Sequence, residues 1–283
     1  MMKACRLCIL AVLMASSTLC AADKPAGPTG PGPAIRDVSF VADFDKSPQR
    51  YMMTLPEDFQ ADRPHDLLVA LHGHGSDRRQ FVMDKRPECQ AARDVAARHK
   101  MIFVSPDYRA PASWMNAAAE ADVAQIIADL KKQYRLGKVF LTGGSMGGLG
   151  CLAFAARRPQ LVDGVAAMNG TANLLEYANA TFLPAIARSY GGTKAEIPAE
   201  WKARSAEYWP ERLTMPVGLT TGGKDAAVPP DSVIRLAGVL KQLNRPVLLI
   251  HRETGGHSTD LQDATAILEF VIEKAEATGR EGR

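Results

Sequence analysis

Gly143-Gly144-Ser145-Met146-Gly147 sets a serine among glycines. A short apolar run, residues 138–142, stands directly before it, and residues 146–157 follow with apolar side chains at helical spacing. A serine in that context sits on a tight strand-to-helix turn that presents its Oγ at the sheet edge. The glycines admit close backbone contact, and the helix N-terminus favours negative charge there. This is the setting of a nucleophile. A hydroxyl needs a base to activate it, and the base needs a third group to fix its tautomer. With this motif the partners are expected in the chain order Ser, Asp, His. Asp225 lies just beyond the apolar run 215–220, at the edge where open α/β sheets bind ligands. Its competitor Asp231 follows Pro229-Pro230 and reads as a helix N-cap. His257, in Gly255-Gly256-His257-Ser258, is placed to swing over the same edge, with Asp225 holding Nδ1–H and Nε2 facing Ser145. His251 belongs to a strand end, while His65 and His99 precede strands at the opposite edge.

Acyl chemistry at Ser145 also needs two donors for an oxyanion. The N–H of Met146 is one. The loop His72-Gly73-His74-Gly75 is expected to supply the other, through the N–H of His74. The His72 and His74 side chains have no third ligand nearby, so no metal site is expected, and the chemistry requires no cofactor.

These residues need a scaffold. Residues 35–44 and 50–55 read as an antiparallel entry hairpin, and 66–71, 101–105, 138–142, 162–168, 215–220 and 247–251 as further strands. Helical spacing covers 80–99, 117–134, 146–157, 231–243 and 261–275. Alternation of short apolar strands with helices predicts an α/β fold: a mostly parallel central sheet with helices on both faces, in one domain over 35–276. The rhythm breaks over 169–213, a stretch with aromatics and no clear strand, expected to be a small cap insertion. Its Trp209, and Tyr108, Arg109 and Trp114 from the loop after Ser105, are candidate substrate contacts. For Arg109 a surface salt bridge is the favoured role over binding a carboxylate or sugar acid.

The 283 residues carry a formal charge of only +3, with no basic stripe, which argues against a nucleic-acid partner. No internal apolar run approaches about 20 residues, so no stable membrane span is expected. The basic start at Lys3 and Arg6, the apolar stretch 7–19 and Cys20-Ala21-Ala22 have the layout of a signal peptide, 1–22, cut after Ala22. The mature protein is then secreted or periplasmic. Lipidation at Cys20 is the alternative, poorly matched by Leu19. Pro, Gly and Ala dominate 23–34, a flexible linker, and 277–283 reads as a flexible tail. Cys89 and Cys151 remain in the mature chain, either as a disulfide or as two buried thiols.

His72-Gly73-His74-Gly75, the glycine-rich turn 143–148, the segment 222–230 ending Asp225-Ala226-Ala227-Val228-Pro229-Pro230, and Gly255-Gly256-His257 together resemble the α/β-hydrolase superfamily. The Ser-Met-Gly-Gly turn and the Asp-x-x-Val-Pro-Pro segment resemble the catalytic domain of the prolyl oligopeptidase family. They also resemble small esterases of the dienelactone-hydrolase-like, feruloyl-esterase-like and polyhydroxybutyrate-depolymerase-like groups. The resemblance spans about residues 50–275. It implies the α/β-hydrolase fold and a Ser145–His257–Asp225 serine hydrolase. The β-propeller of prolyl oligopeptidases has no counterpart in this chain, which weights the expectation toward a small-molecule or carbohydrate-linked ester. The alternatives are a peptidase of short peptides and a binding protein that keeps the fold without catalysis.

Overall fold

The computed structural model describes residues 34–281. The expected signal peptide, with Cys5, Cys8 and Cys20, lies outside the described residues, as does all but the last residue of the expected linker. The chain opens on β1 (Arg36–Val41) and β2 (Pro48–Thr54), an antiparallel hairpin with Arg36 opposite Met53. Next come β3 (His65–Leu71), β4 (Ile102–Pro106), β5 (Leu136–Gly144), β6 (Gly164–Met168), β7 (Val217–Gly222) and β8 (Val247–Arg252). They form one sheet in the order β1-β2-β4-β3-β5-β6-β7-β8, antiparallel at β1-β2-β4 and parallel from β4 to β8.

The two-residue repeat of a strand divides the core. On β3, Leu67, Val69 and Leu71 join one apolar cluster, which takes in α3 (Ala117–Gln133), α4 (Met146–Arg157) and α7 (Asp231–Gln242). Leu68 and Ala70 point the other way, into a cluster with α2 (Pro87–Arg98) and α8 (Leu261–Glu281). Cys89 belongs to the second cluster and Cys151 to the first. The sheet separates them, and both are free, buried thiols. Burial pushes the Cys89 thiol up to about 12.

Parallel crossovers bring the C-terminal ends of β3, β5, β6, β7 and β8 to one edge. That edge therefore collects the turns at His72, Ser145, Asn169, Asp225 and His257. Two boundaries differ from expectation. The helix expected over 80–99 is two, α1 (Gln80–Met83) and α2, because Pro87 forces Arg86 to extended backbone and starts a new helix. The last helix runs to Glu281, past 275, so residues 277–281 of the expected tail are helical: their polar sequence contains no proline to stop it.

The segment 169–213 between β6 and β7 carries α5 (Leu183–Tyr190), α6 (Pro198–Ala203) and two single 3₁₀ turns. It is fastened to the body by charge as well as by apolar contact. Arg204, only 1% exposed, donates from Nε to Met115 O (2.6 Å) and lies 5.3 Å from the Tyr190 ring. It also approaches Glu120, which pairs with Arg157 and Arg158 on α4 and its C-cap. Among the described residues no helix is long and apolar enough to cross a membrane.

Candidate active site

Ser145 occupies the single position between β5 and α4, at φ 59°, ψ −118°. L-residues adopt that conformation only under constraint. The constraint is visible. The Ser145 N–H donates to Met168 O (2.8 Å), and its carbonyl accepts the Leu149 N–H (3.0 Å). Below the turn, α4 runs so close to β3 that a Cβ on Gly147 would lie 2.8 Å from the Leu71 carbonyl carbon and closer still to its oxygen. Gly144, by contrast, faces open space.

His257, on the loop from β8 to α8, has Nε2 2.9 Å from Ser145 Oγ and Nδ1 2.7 Å from Asp225 Oδ2. Asp225 is 5% exposed, and its other oxygen accepts the N–H groups of Ala227 (2.9 Å) and Val228 (2.8 Å). A carboxylate with both oxygens engaged can only accept, so Nδ1 carries the hydrogen and the Nε2 lone pair faces the serine hydroxyl. Asp231 opens α7 and is exposed. The His251 ring meets Thr221 Oγ1 at 2.8 Å, away from Ser145.

Beside the serine, the loop after β3 runs with its donors sorted. Gly73 N–H goes to Gln80 Oε1 (2.8 Å) and Gly75 N–H to Pro111 O (2.8 Å). The N–H of His74 between them has no acceptor among the described residues, and neither has that of Met146. Two unclaimed backbone donors near a serine turn form the kind of pair that binds an oxyanion. Gln80 escaped the sequence reading. It sits at the start of a four-residue helix, and its hold on Gly73, seven residues earlier, is a loop contact with no sequence signature.

The four candidate substrate residues fare differently. Tyr108 is buried, and its hydroxyl donates to His72 O (2.5 Å), so it braces the loop from below instead of facing substrate. Both ring nitrogens of His72 face backbone carbonyls, Gly73 O at 2.8 Å and Asp107 O at 3.0 Å. Arg109 is consumed by Asp122 (2.5 Å) and Asp45 (2.6 Å), the salt-bridge role. Trp209 is held within the insertion: its indole N–H donates to Lys202 O (3.1 Å) and Arg212 lies 4.2 Å from its ring. Trp114 is buried too, 2% exposed, and packs behind the His74 loop. Its ring centroid is 5.6 Å from that of His74, 5.7 Å from Phe182 and 6.1 Å from Tyr177, the last two supplied by the insertion. Of the insertion's aromatics, Phe182 meets the His74 ring at 5.1 Å, and Tyr177 packs on Trp114.

A cavity of about 60 Å³ at the serine is lined by Ser145, His257, Gly73, Gln80, Glu88 and Asn169, among others. A larger hollow of about 540 Å³ lies on the far side of the acid loop, between Tyr177, Asn179, Ala226 and Asp231. Ser145 and His257 open on the smaller one.

Comparisons with known proteins bear on this geometry. Residues 118–277, more than half of the chain, match the sequence model of the prolyl oligopeptidase family. Over 127 residues the chain is 29% identical to "Probable feruloyl esterase C" of Aspergillus flavus, covering 43% of this chain and 46% of that one. The chain therefore spans about half the length of that curated relative. Among solved structures, fluorophosphonate-binding serine hydrolase F of Staphylococcus aureus superposes with a TM-score of 0.67 at 18% identity, covering 85% of this chain and 99% of that one. Puromycin hydrolase gives a TM-score of 0.72 at 19% identity, covering 90% and 41%. The fold is that of the α/β hydrolases.

Proposed function

The chain belongs to the prolyl oligopeptidase family, and from that membership, which makes it a serine hydrolase, we propose that it cleaves carboxylic esters through an acyl-enzyme on Ser145. The observation that carries this reading is the relay Ser145 Oγ, His257 Nε2 and Nδ1, Asp225 Oδ2, at 2.9 and 2.7 Å. His257 takes the hydroxyl proton as Ser145 Oγ attacks the ester carbonyl carbon. The carbonyl oxygen becomes an oxyanion between the N–H groups of His74 and Met146. Collapse breaks the C–O bond to the alcohol, which leaves with the proton from His257. Water then repeats the sequence on the acyl-enzyme, releasing the acid and restoring Ser145. Asp225 holds the Nδ1–H tautomer and stabilises the imidazolium.

The substrate class we propose is an ester with an aromatic acyl group, small or carried on a carbohydrate. Phe182, half-buried, lies 5.1 Å from the His74 ring with the buried Trp114 and Tyr177 behind it, and a flat apolar face next to an oxyanion site suits a planar acyl chain. The likeness to a protein named as a feruloyl esterase supports the same class. The family's name favours a second reading, hydrolysis of short peptides.

The test is a fluorophosphonate probe followed by a substrate panel. Wild type should label and Ser145→Ala should not; equal labelling of the two would remove Ser145 as nucleophile. Aryl esters should be turned over faster than acetyl esters and peptide amides. A panel led by amides would replace the ester reading with the peptidase one.

A further inference from the structure

We propose that Asn169 is a positioning residue for His257, an inference that rests on the Ser145–His257–Asp225 reading. Asn169 follows β6 directly, at φ 47°, a left-handed conformation that asparagine tolerates better than most residues. There its backbone joins the two halves of the site. The carbonyl just before it, Met168 O, accepts the Ser145 N–H (2.8 Å). Its own N–H donates to Thr220 O (3.0 Å) on β7.

Its side chain turns to the histidine loop. Oδ1 accepts the Thr259 hydroxyl, and Nδ2 lies 3.5 Å from Gly256 O. These contacts bracket His257. The proton directions follow from counting. A threonine hydroxyl has one hydrogen. Thr259 gives its hydrogen to Asn169 Oδ1, so at 2.7 Å from Thr220 Oγ1 it must accept. Thr220 donates to Thr259 in preference to Asn169 Oδ1, which is 3.5 Å away. The result is a one-way chain, Thr220 to Thr259 to Asn169, with all three residues buried. Hydrogen bonds aligned in series away from water strengthen one another.

Past the histidine, little else holds the loop. The loop is tied ahead of the histidine by Lys224 N–H to Gly255 O (2.8 Å). Among the described residues, 257–259 make no backbone hydrogen bond outside the loop; Ser258 N–H reaches only Gly256 O (2.9 Å). Ahead of the histidine the Gly255–Gly256 peptide is also packed on Gly222, where an added Cβ would stand 2.7 Å from the Gly255 carbonyl carbon, so the restraint still to be supplied is on the far side of His257, at Thr259. Asp225 fixes the far end of the imidazole, and the Thr259–Asn169 bond fixes the backbone that carries it. Because Asn169 is also one peptide from the carbonyl that holds Ser145, it sets nucleophile and base in one frame.

The experiment uses the full chain as wild type, N169A, T259V, N169A/T259V, T259S and S145A, with fluorophosphonate labelling rates, p-nitrophenyl acetate kinetics and melting temperatures. Loosening a base at this distance is expected to slow labelling about 10- to 100-fold. In N169A and T259V the final labelled fraction should match wild type, kcat should fall in step and KM should hold within about twofold. T259S keeps the hydroxyl and should recover most of the rate. The N169A/T259V double variant should be little slower than either alone, because both break one chain. If N169A does not fold, the T259V and T259S pair decides. Labelling of N169A or T259V within about twofold of wild type, multiplicative losses, or a T259S as slow as T259V would each overturn the proposal. A wild type that does not label, or an S145A that does, would instead overturn the catalytic reading beneath it.

Discussion

Substitutions at two glycines only three residues apart should separate geometry from composition. Gly147 lets α4 lie against the Leu71 peptide, where an added Cβ would stand 2.8 Å from a carbonyl carbon. Carbon atoms in contact prefer about 3.5–4.0 Å, so a Gly147→Ala chain must open that gap by roughly 1 Å. The obstacle is backbone inside the sheet and cannot rotate away. Overpacking of this kind costs about 1–3 kcal/mol. For a domain of this size that lowers the melting temperature by about 2–12 °C. The kinetic effect is larger, since the helix that moves begins at Met146, one residue from Ser145 Oγ and its 2.9 Å contact with His257. A shift of that size near the reacting atoms costs about 100-fold in rate. Gly144→Ala meets nothing within contact distance and should melt with wild type and label within a few-fold of it. Calorimetry and fluorophosphonate labelling of both variants decide the matter. A Gly147→Ala protein as stable and fast as wild type would refute the close-approach argument, as would a Gly144→Ala protein that melts early.

Asp225→Asn can keep the Ala227 and Val228 N–H contacts but loses the acceptor that fixes Nδ1–H; kcat should fall by about 10⁴-fold with the melting temperature nearly unchanged, and a loss under tenfold would remove Asp225 from its assigned role. Arg109→Met leaves Asp122, whose side chain is 1% exposed, as a buried charge without its partner, at a cost of about 3–5 kcal/mol; the Arg109→Met/Asp122→Leu double variant should recover most of it in a denaturant titration. Burial holds the His72 imidazole below its usual value of 6.5, outweighing the two carbonyl contacts that favour the charged ring. The unfolded chain then takes a proton that the folded chain refuses, so stability should fall as pH drops through about 6.5; His72→Gln should lessen that slope, and an unchanged slope would contradict it.

The serine turn, the acid and the histidine could be read because each stands where a strand ends, and strand ends announce themselves by apolar runs that stop at glycine. The sheet was readable for the same reason. Tyr108 could not be sorted, and Arg109 could only be weighted toward a salt bridge, because a loop at the right edge carries two kinds of residue, those that face the ligand and those that hold the loop. Type and position alone do not distinguish them. Arg109 needed Asp45 and Asp122, 64 and 13 residues away, to show which it was. Pro87 did carry a local signal, a break in the helical run. Gln80 and Asn169 carry none: a lone amide that satisfies a backbone N–H seven residues away, or a hydroxyl ninety residues away, has no periodicity and no motif.

Arg204 ties the insertion to the loop after β4, with Glu120 shared between it and two arginines of the body. The two segments that meet over the serine are therefore one electrostatic unit, discontinuous in sequence. Grafting residues 169–213 from another hydrolase would remove the partner of Met115 O and unbalance Glu120. Recombination that keeps such a chain folded has to carry 107–120 along with the insertion. The two segments thus form a paired cassette, and a library that crosses them independently is expected to lose stability wherever the Arg204 contacts with Met115 and Glu120 are broken.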